Sequence, residues 1–385
     1  MRQFYRFFVA SALVFVVSAS ASGQKRAAAV SGTMSVEEAT ALAEGWTFLA
    51  QRRIDQAAAR AAALLRSNPR SGAALMFAVE VEIARGGPLA GLVQYEHWLG
   101  RRTMEEPAVL RRLARATLGE IGAQRQDPAA RVEALRALAA EGETRAAEEL
   151  AEAASQGGSA EKRALAALGD QSAVEALIAE VESAPAALVA AIDALGASRS
   201  PLAAAPLVER LEDPRPEVRG AAVAALGKLG DVRLLPRITA MLSDGNMYVR
   251  VKAAGALLRL GDKSGLPILQ ELMADPSPAS MLAAAEAMAG APDESWTALV
   301  RELTRAPQAE IRAAAARLIA PHDPELSLEV LQSLAAHENP VIREMASRGL
   351  GEVVTSDLTT LRGLMKNSDR LTRVRAAVRI IALTG

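Results

Sequence analysis

The chain has 385 residues, of which half are hydrophobic but only 3% aromatic, so alanine and leucine supply most of its apolar surface. Such residues favour helices that pack closely on other helices, and the alternating β-branched runs that would indicate a sheet are absent. The formal net charge is −1, and the part after residue 115 carries more acidic than basic residues, which argues against a nucleic-acid-binding face. The sequence has no cysteine, which excludes disulfides, thiol catalysis and thiolate metal sites.

Residues 1–21, MRQFYRFFVASALVFVVSASA, have the pattern of a secretory signal peptide. Arg2 and Arg6 form a positively charged start, residues 7–17 form an apolar core, and Ala19 and Ala21 offer a small-residue cleavage site. The apolar run is shorter than a usual membrane-spanning helix. We therefore expect cleavage after Ala21, a linker over residues 22–34, export to the periplasm or the outside of the cell, and no transmembrane segment in the mature chain. An uncleaved N-terminal anchor is the alternative.

The segment 35–120 has a pattern of its own. Gly45, Ala57 and Pro69 are evenly spaced, and their spacing resembles that of tetratricopeptide repeats, with a first repeat over residues 38–71 and a weaker second one after it. The resemblance implies a helical segment that caps the rest of the array or docks on it. The aromatic residues here are expected to form a small core, with a peptide groove as the alternative. They are Trp46, Phe48, Phe77, Tyr95 and Trp98.

A regular repeat governs the C-terminal part of the chain. Val218-Arg219 is followed at one constant interval by Val249-Arg250, Ser280-Met281, Ile311-Arg312 and Ile342-Arg343, and then, one position later than that interval, by Val374-Arg375. An aspartate stands five residues ahead in four of these units, at Asp213, Asp244, Asp275 and Asp369. A fixed period of about 31 residues is typical of a solenoid, in which each helix pair needs its neighbours to bury its apolar faces.

Each unit is predicted to hold an A helix, a glycine turn and a B helix. Asp213-Pro214 and Asp275-Pro276 are expected to open A helices, because aspartate is a good N-cap and proline is tolerated in the first turn. Leu-Gly-Asp turns at 168–170, 229–231 and 260–262 are expected to end them. Related turns are expected at Leu195-Gly196, Ala289-Gly290 and Leu350-Gly351, and Pro206, Pro236 and Pro267 are expected in the first turn of B helices.

This pattern resembles HEAT repeats, in particular the short type of phycobilisome-lyase-type proteins, and the resemblance covers residues 126–385. It implies an all-α fold, a right-handed α-solenoid of stacked helix pairs. It also implies that the loop aspartate and the helical arginine of successive repeats form a hydrogen-bonded ladder, interrupted where either residue is missing. The ladder residues it assigns are Asp213, Arg219, Asp244, Arg250, Arg312, Arg343, Asp369 and Arg375.

The sequence offers no constellation that predicts catalysis. The three histidines include one His-Glu pair, His337-Glu338, whereas the HEAT-type deoxyhypusine hydroxylases use several such pairs to hold two irons. Residues 255–265, GALLRLGDKSG, lack the Gly-Lys-Ser order of a phosphate-binding loop. We therefore predict no catalytic, metal or cofactor site.

The leading hypothesis is an exported, non-catalytic scaffold whose concave wall of B helices binds a protein or peptide partner. The mixed charge of the exposed B-helix residues favours specific polar recognition. The candidate partner-binding residues are Glu209, Arg210, Arg237, Gln270, Glu271, Arg301 and Glu302. The alternatives are an enzyme or enzyme-maturation factor of the lyase or hydroxylase type, and a self-associating structural component of the cell envelope. The basic residues between 362 and 379 are expected to cap the solenoid, with docking of acidic partners as the alternative.

Overall fold

A computed structural model describes residues 35–100, 104–183, 188–289, 296–352 and 357–385. Regular structure within these ranges is helical throughout, with 21 α-helices, four short 3-10 helices and no strand. The predicted all-α fold is therefore confirmed. The predicted signal peptide, the linker over 22–34 and the turn residue Gly290 lie outside the described residues. No helix of the described part is both long and apolar enough to cross a membrane.

The chain divides into two compact units, and the boundary falls after Glu120. The first unit comprises the described residues up to Glu120 together with Ile380–Gly385. In its core, the Phe77 ring packs on the Trp46 ring, with centroids 5.1 Å apart. Gly45 also lies against the Phe77 ring, so closely that a Cβ added at Gly45 would be 2.6 Å from the ring. Its helices are Val36–Ala50, Ile54–Ser67, Gly72–Leu99, which is kinked at Gly86 and Gly87, and Pro107–Ala123.

The second unit, Ile121–Arg379, alternates A and B helices as the repeat predicts. The A helices are Pro128–Ala140, Ser159–Ala167, Leu188–Ser198, Pro216–Leu229, Met247–Arg259, Pro278–Met288, Ala309–Ile319, Pro340–Glu352 and Arg370–Thr384. The B helices are Thr144–Ser155, Gln171–Ser183, Ala204–Glu209, Leu235–Ala240, Leu266–Ala274, Trp296–Leu303, Pro324–Leu334 and Leu358–Leu364. Short 3-10 turns extend two of the B helices at both ends, and they are Pro201–Ala203, Arg210–Glu212, Val232–Leu234 and Met241–Ser243.

The A helices begin later than the sequence predicted. The Asp213 carboxylate accepts a hydrogen bond from the Arg215 amide at 3.0 Å, and the helix begins at Pro216. Asp275 accepts in the same way from the Ser277 amide, and its helix begins at Pro278. The aspartate thus folds a turn ahead of the helix, and the second proline takes the first helical position. The prediction that Asp213 and Asp275 cap these helices is wrong for this reason.

The glycine turns between A and B helices form at the Leu-Gly-Asp sites. Gly169, Gly230 and Gly261 have φ values of 88°, 82° and 85°, and Asp231 caps the next helix by accepting from the Arg233 amide at 3.0 Å. The turn predicted at Leu195-Gly196 is wrong, because both residues lie inside the helix Leu188–Ser198. The positive φ of that unit falls on Arg199, at 53°. The Leu350-Gly351 pair likewise lies inside a helix, Pro340–Glu352.

Helix-interior glycines let successive A helices approach to backbone contact. A Cβ added at Gly196 would lie 2.6 Å from Ala225 Cα, and one added at Gly227 would lie 2.7 Å from Ala256 Cβ. Between the A and B layers, larger side chains fill the core, as Leu269, Trp296 and Ile319 do. The A helices therefore make the close contacts between neighbouring repeats.

Candidate functional site

Arg219 joins two successive repeats through an arginine–aspartate ion pair. Its Nε and Nη2 atoms donate to the two carboxylate oxygens of Asp244, in the next repeat, at 2.7 and 2.9 Å. Its Nη1 atom donates to the carbonyls of Asp213 and Pro214 in its own repeat. The pair is well shielded from solvent, since the Asp244 side chain is 8% exposed. The hydrogen bonds from Arg219 hold the pKa of Asp244 below its usual value, against the opposing effect of burial.

Three of the other assigned arginines close a turn of their own repeat, and the fourth, Arg375, bonds a carbonyl of the preceding repeat. Arg250, Arg312 and Arg343 each donate through Nη1 to the carbonyl six residues earlier, at 2.8, 2.9 and 2.8 Å. Arg375 donates to the Arg348 carbonyl at 2.7 Å. Within the described residues Arg250 does not bond Asp275, and its second contact is the Met247 sulfur.

The assigned aspartates are occupied locally as well. The Asp213 carboxylate binds Arg215 through Nε and Nη2, and these hydrogen bonds lower the pKa of Asp213. Asp369 accepts from the amide and hydroxyl of Thr372. In the repeat without the arginine, Met281 packs on the hydrophobic core. The resemblance implied a ladder that is interrupted where either residue is missing. The described residues show its rung at Arg219 and Asp244, while the remaining assigned arginines bond backbone carbonyls.

The seven candidate partner-binding residues lie on four consecutive B segments. Arg210 is half-buried, its guanidinium is 3.8 Å from the Glu209 carboxylate, and its Nε is buried without a hydrogen bond. Arg301 is exposed and donates to Asp323 at 3.1 Å. Four further side chains are exposed and make no hydrogen bond or ion pair with any described residue, and these are Arg237, Gln270, Glu271 and Glu302. We refer to the seven residues together as the B-helix face.

The histidines take part in local contacts. His337 Nδ1 accepts a hydrogen bond from the Asn339 amide at 3.1 Å, inside a turn between repeats. The ring of His322 packs edge-on against Trp296, with centroids 5.0 Å apart. Across the described part of the chain, no group of three or more His, Cys, Asp or Glu residues is arranged to hold a metal ion.

Sequence reasoning missed a groove between the A helices Ala309–Ile319 and Pro340–Glu352. The groove has a volume of about 180 Å³, and its lining residues are Arg317, Val341, Glu344, Met345 and Arg348. We call it the A-helix groove. A signal for it was present in the repeat, because the residue before the Val-Arg or Ile-Arg pair is exposed in four units. That position is Glu217 and Glu310 in two of them, but tyrosine at 248 and valine at 341.

The alternation of A and B helices, with contacts between neighbouring units, defines the class of protein as an all-α solenoid. A profile of HEAT repeats matches residues 204–290 and 296–383. These two stretches of the second unit are therefore HEAT repeats.

Solved structures similar to this chain include the complex of CpcE and CpcF of phycocyanin lyase from Nostoc sp. PCC7120, at 25% identity over 54% of this chain and 94% of that one, with a TM-score of 0.35. Human deoxyhypusine hydroxylase in complex with glycerol is 20% identical over 71% and 98% of the two chains, with a TM-score of 0.32. The archaeal HEAT-like repeats protein from Thermococcus onnurineus NA1 is 18% identical over 55% and 96%, with a TM-score of 0.23. None of the curated proteins matches this chain.

Proposed function

We propose that this chain is a non-catalytic scaffold that binds a protein or peptide partner through the B-helix face. The observation that carries the proposal is the set of exposed and unpaired polar side chains on consecutive B segments, Arg237, Gln270, Glu271 and Glu302. Gln270 and Arg301 are one repeat period apart, as are Glu271 and Glu302, so the repeat presents equivalent positions at a regular interval. Unpaired groups of both signs favour a specific partner over bulk electrostatic capture.

The first test replaces the seven residues of the B-helix face with alanine together. The control replaces four exposed charged residues of A helices, Glu217, Arg259, Glu286 and Glu310. Both variants are to be crosslinked in cells, and their partners identified by mass spectrometry. The proposal expects one defined partner with the wild type and the control, and its loss with the B-helix variant. Equal recovery of the partner with the B-helix variant contradicts the role of this face.

We further propose that the scaffold works outside the cytoplasm, in the periplasm or beyond the cell surface. The proposal rests on the positively charged start, the apolar core and the small residues up to Ala21. N-terminal sequencing of the protein recovered from fractionated cells tests it. A mature chain that begins at Ser22 in a non-cytoplasmic fraction supports export, whereas an intact Met1 in the cytoplasmic fraction contradicts it.

A further inference from the structure

The A-helix groove has an apolar floor. Val341 is 59% exposed, at the outward position before the repeat's Ile-Arg pair. Met345, one helical turn later, is half-buried beside it and also lines the groove. An exposed valine and a flexible methionine side by side form an adaptable apolar surface.

The rim of the A-helix groove is cationic. Arg317 reaches it across Gly349, since a Cβ added at Gly349 would lie 2.7 Å from Arg317 Cγ. Arg348 also lines the groove and pairs with Glu344 at 2.9 Å, and Arg375 donates to the Arg348 carbonyl. Two arginines and one glutamate thus line the groove around its apolar floor. Arginine forms strong, directional hydrogen bonds with carboxylates.

We propose that the A-helix groove binds an acidic peptide segment of a partner protein, in which one apolar side chain is flanked by glutamates or aspartates. The apolar side chain covers Val341 and Met345, and the carboxylates bind Arg317 and Arg348. The volume of about 180 Å³ suits a single anchor side chain rather than a folded domain. The groove is formed by A helices, so peptide binding there does not depend on whether the B-helix face binds a partner.

The probe is a fluorescein-labelled heptapeptide with a central leucine or tryptophan and three glutamates on each side, titrated with the full mature chain by fluorescence anisotropy. The matched probe has glutamines in place of the glutamates. We expect saturable binding of the glutamate peptides, weakened by added salt, and at least about tenfold weaker binding of the glutamine peptides.

Two pairs of variants separate this groove from the rest of the surface. Val341→Asp is expected to weaken binding at least about tenfold, because it places a carboxylate on the apolar floor. Its control is Val232→Asp, since Val232 is equally exposed, at 59%, but lies in a 3-10 turn that leads into a B helix. Arg348→Glu is expected to weaken binding to the same extent. Its control is Arg145→Glu, because Arg145 is also exposed and pairs with a glutamate four positions away on its own helix, Glu149, as Arg348 pairs with Glu344.

Several results would overturn the proposal. They are no saturable binding of either glutamate peptide, equal binding of the glutamine peptides, and equal losses in the variants and their controls. A Val341-dependent dimer in light scattering would overturn it too, because the occupant would then be a second copy of the chain. Since all four positions lie at the surface, unchanged circular dichroism is expected to show that each variant is folded. Peptide binding that is retained in the seven-alanine variant of the B-helix face would support the groove even if that face has no partner.

Discussion

Through hydrogen bonds of one guanidinium group, Arg219 links two successive repeats of the solenoid. It reaches the Asp244 carboxylate in the following repeat while it closes the turn at Asp213 and Pro214 in its own. The partner carboxylate is 8% exposed, so removal of the arginine would leave a shielded charge without its counter-ion. By contrast, the Arg312 guanidinium donates to the backbone carbonyls of Ala306 and Pro307.

These two arginines are expected to differ in how much they stabilise the fold. Arg219→Met should lower the free energy of unfolding by about 2 kcal/mol. The change removes charge-assisted hydrogen bonds and leaves the shielded Asp244 carboxylate without a counter-ion. Arg312→Met should cost about 1 kcal/mol, since it removes only bonds to neutral carbonyls. Urea unfolding of both variants measures the difference. Equal losses would show that the rung adds nothing beyond closure of the turn.

The Arg219–Asp244 pair also gives a signed pH dependence. The pKa of Asp244 is lowered in the folded chain, so the stabilisation is fully present above the ordinary pKa of about 4 and is lost as the pH falls through the folded value. The stability difference between the wild type and Asp244→Asn should therefore be largest near neutral pH and shrink below about pH 4. Urea unfolding at a series of pH values checks this. A difference that grows on acidification would contradict the assignment.

Arg199 occupies the position where other units place a turn glycine. Its φ of 53° is unfavourable for a side chain with a Cβ, whereas Gly230 adopts a φ of 82° in the corresponding turn. Arg199→Gly should stabilise the chain by up to about 1 kcal/mol, and the converse change Gly230→Arg should destabilise it by about 1 kcal/mol. Nothing lies within 4 Å of a Cβ added at Gly230, so the second effect reports backbone strain alone. Thermal unfolding of both variants measures these effects, and the same sign for both would refute the explanation.

At the scale of helices, the period of the repeat predicted the alternation of A and B helices but misplaced some of their ends. Asp213-Pro214 looked like a helix start, yet the side chain of Asp213 is used in a turn and Pro216 is the first helical residue. Gly196 looked like a turn glycine, yet it lies inside a helix against Ala225. A single sequence does not distinguish a glycine that ends a helix from one that allows a neighbouring helix to pack closely. The contacting residue, Ala225 in the case of Gly196, belongs to the next repeat and is distant in the sequence.

The close approach of A helices gives a prediction at this scale. Gly227→Ala should destabilise the chain by about 1 to 3 kcal/mol, because the new Cβ would lie 2.7 Å from Ala256 Cβ and 2.8 Å from its Cα, where a helix backbone cannot easily move away. Gly363→Ala is the control, since Gly363 is inside the helix Leu358–Leu364 with nothing within 4 Å of an added Cβ. That control should be neutral or stabilising. Equal and small effects in urea unfolding would contradict close packing at Gly227.

At the scale of the whole molecule, the period of the repeat was enough to predict the solenoid class, because each unit repeats the same local chemistry. It also placed exposed residues on B segments, as Gln270, Glu271 and Glu302 show. The A-helix groove was not foreseen, because Arg317 and Val341 come from different repeats and meet only when their helices stack. The inter-repeat ladder was inferred from the family pattern, and among the described residues Arg250 and Asp275 each bond the backbone of their own repeat and not one another.

The measurement that tests the scaffold most directly is photocrosslinking in cells that express the chain with residues 1–21 in place. A photoreactive phenylalanine analogue is placed at Gln270 on the B-helix face or, as a control, at Glu286, which is exposed on the A helix Pro278–Met288. We expect one discrete crosslinked protein from position 270, absent from position 286 and lost when the other six residues of the B-helix face are changed to alanine. The same products from both positions, or no crosslinked product from position 270, would contradict the proposed scaffold.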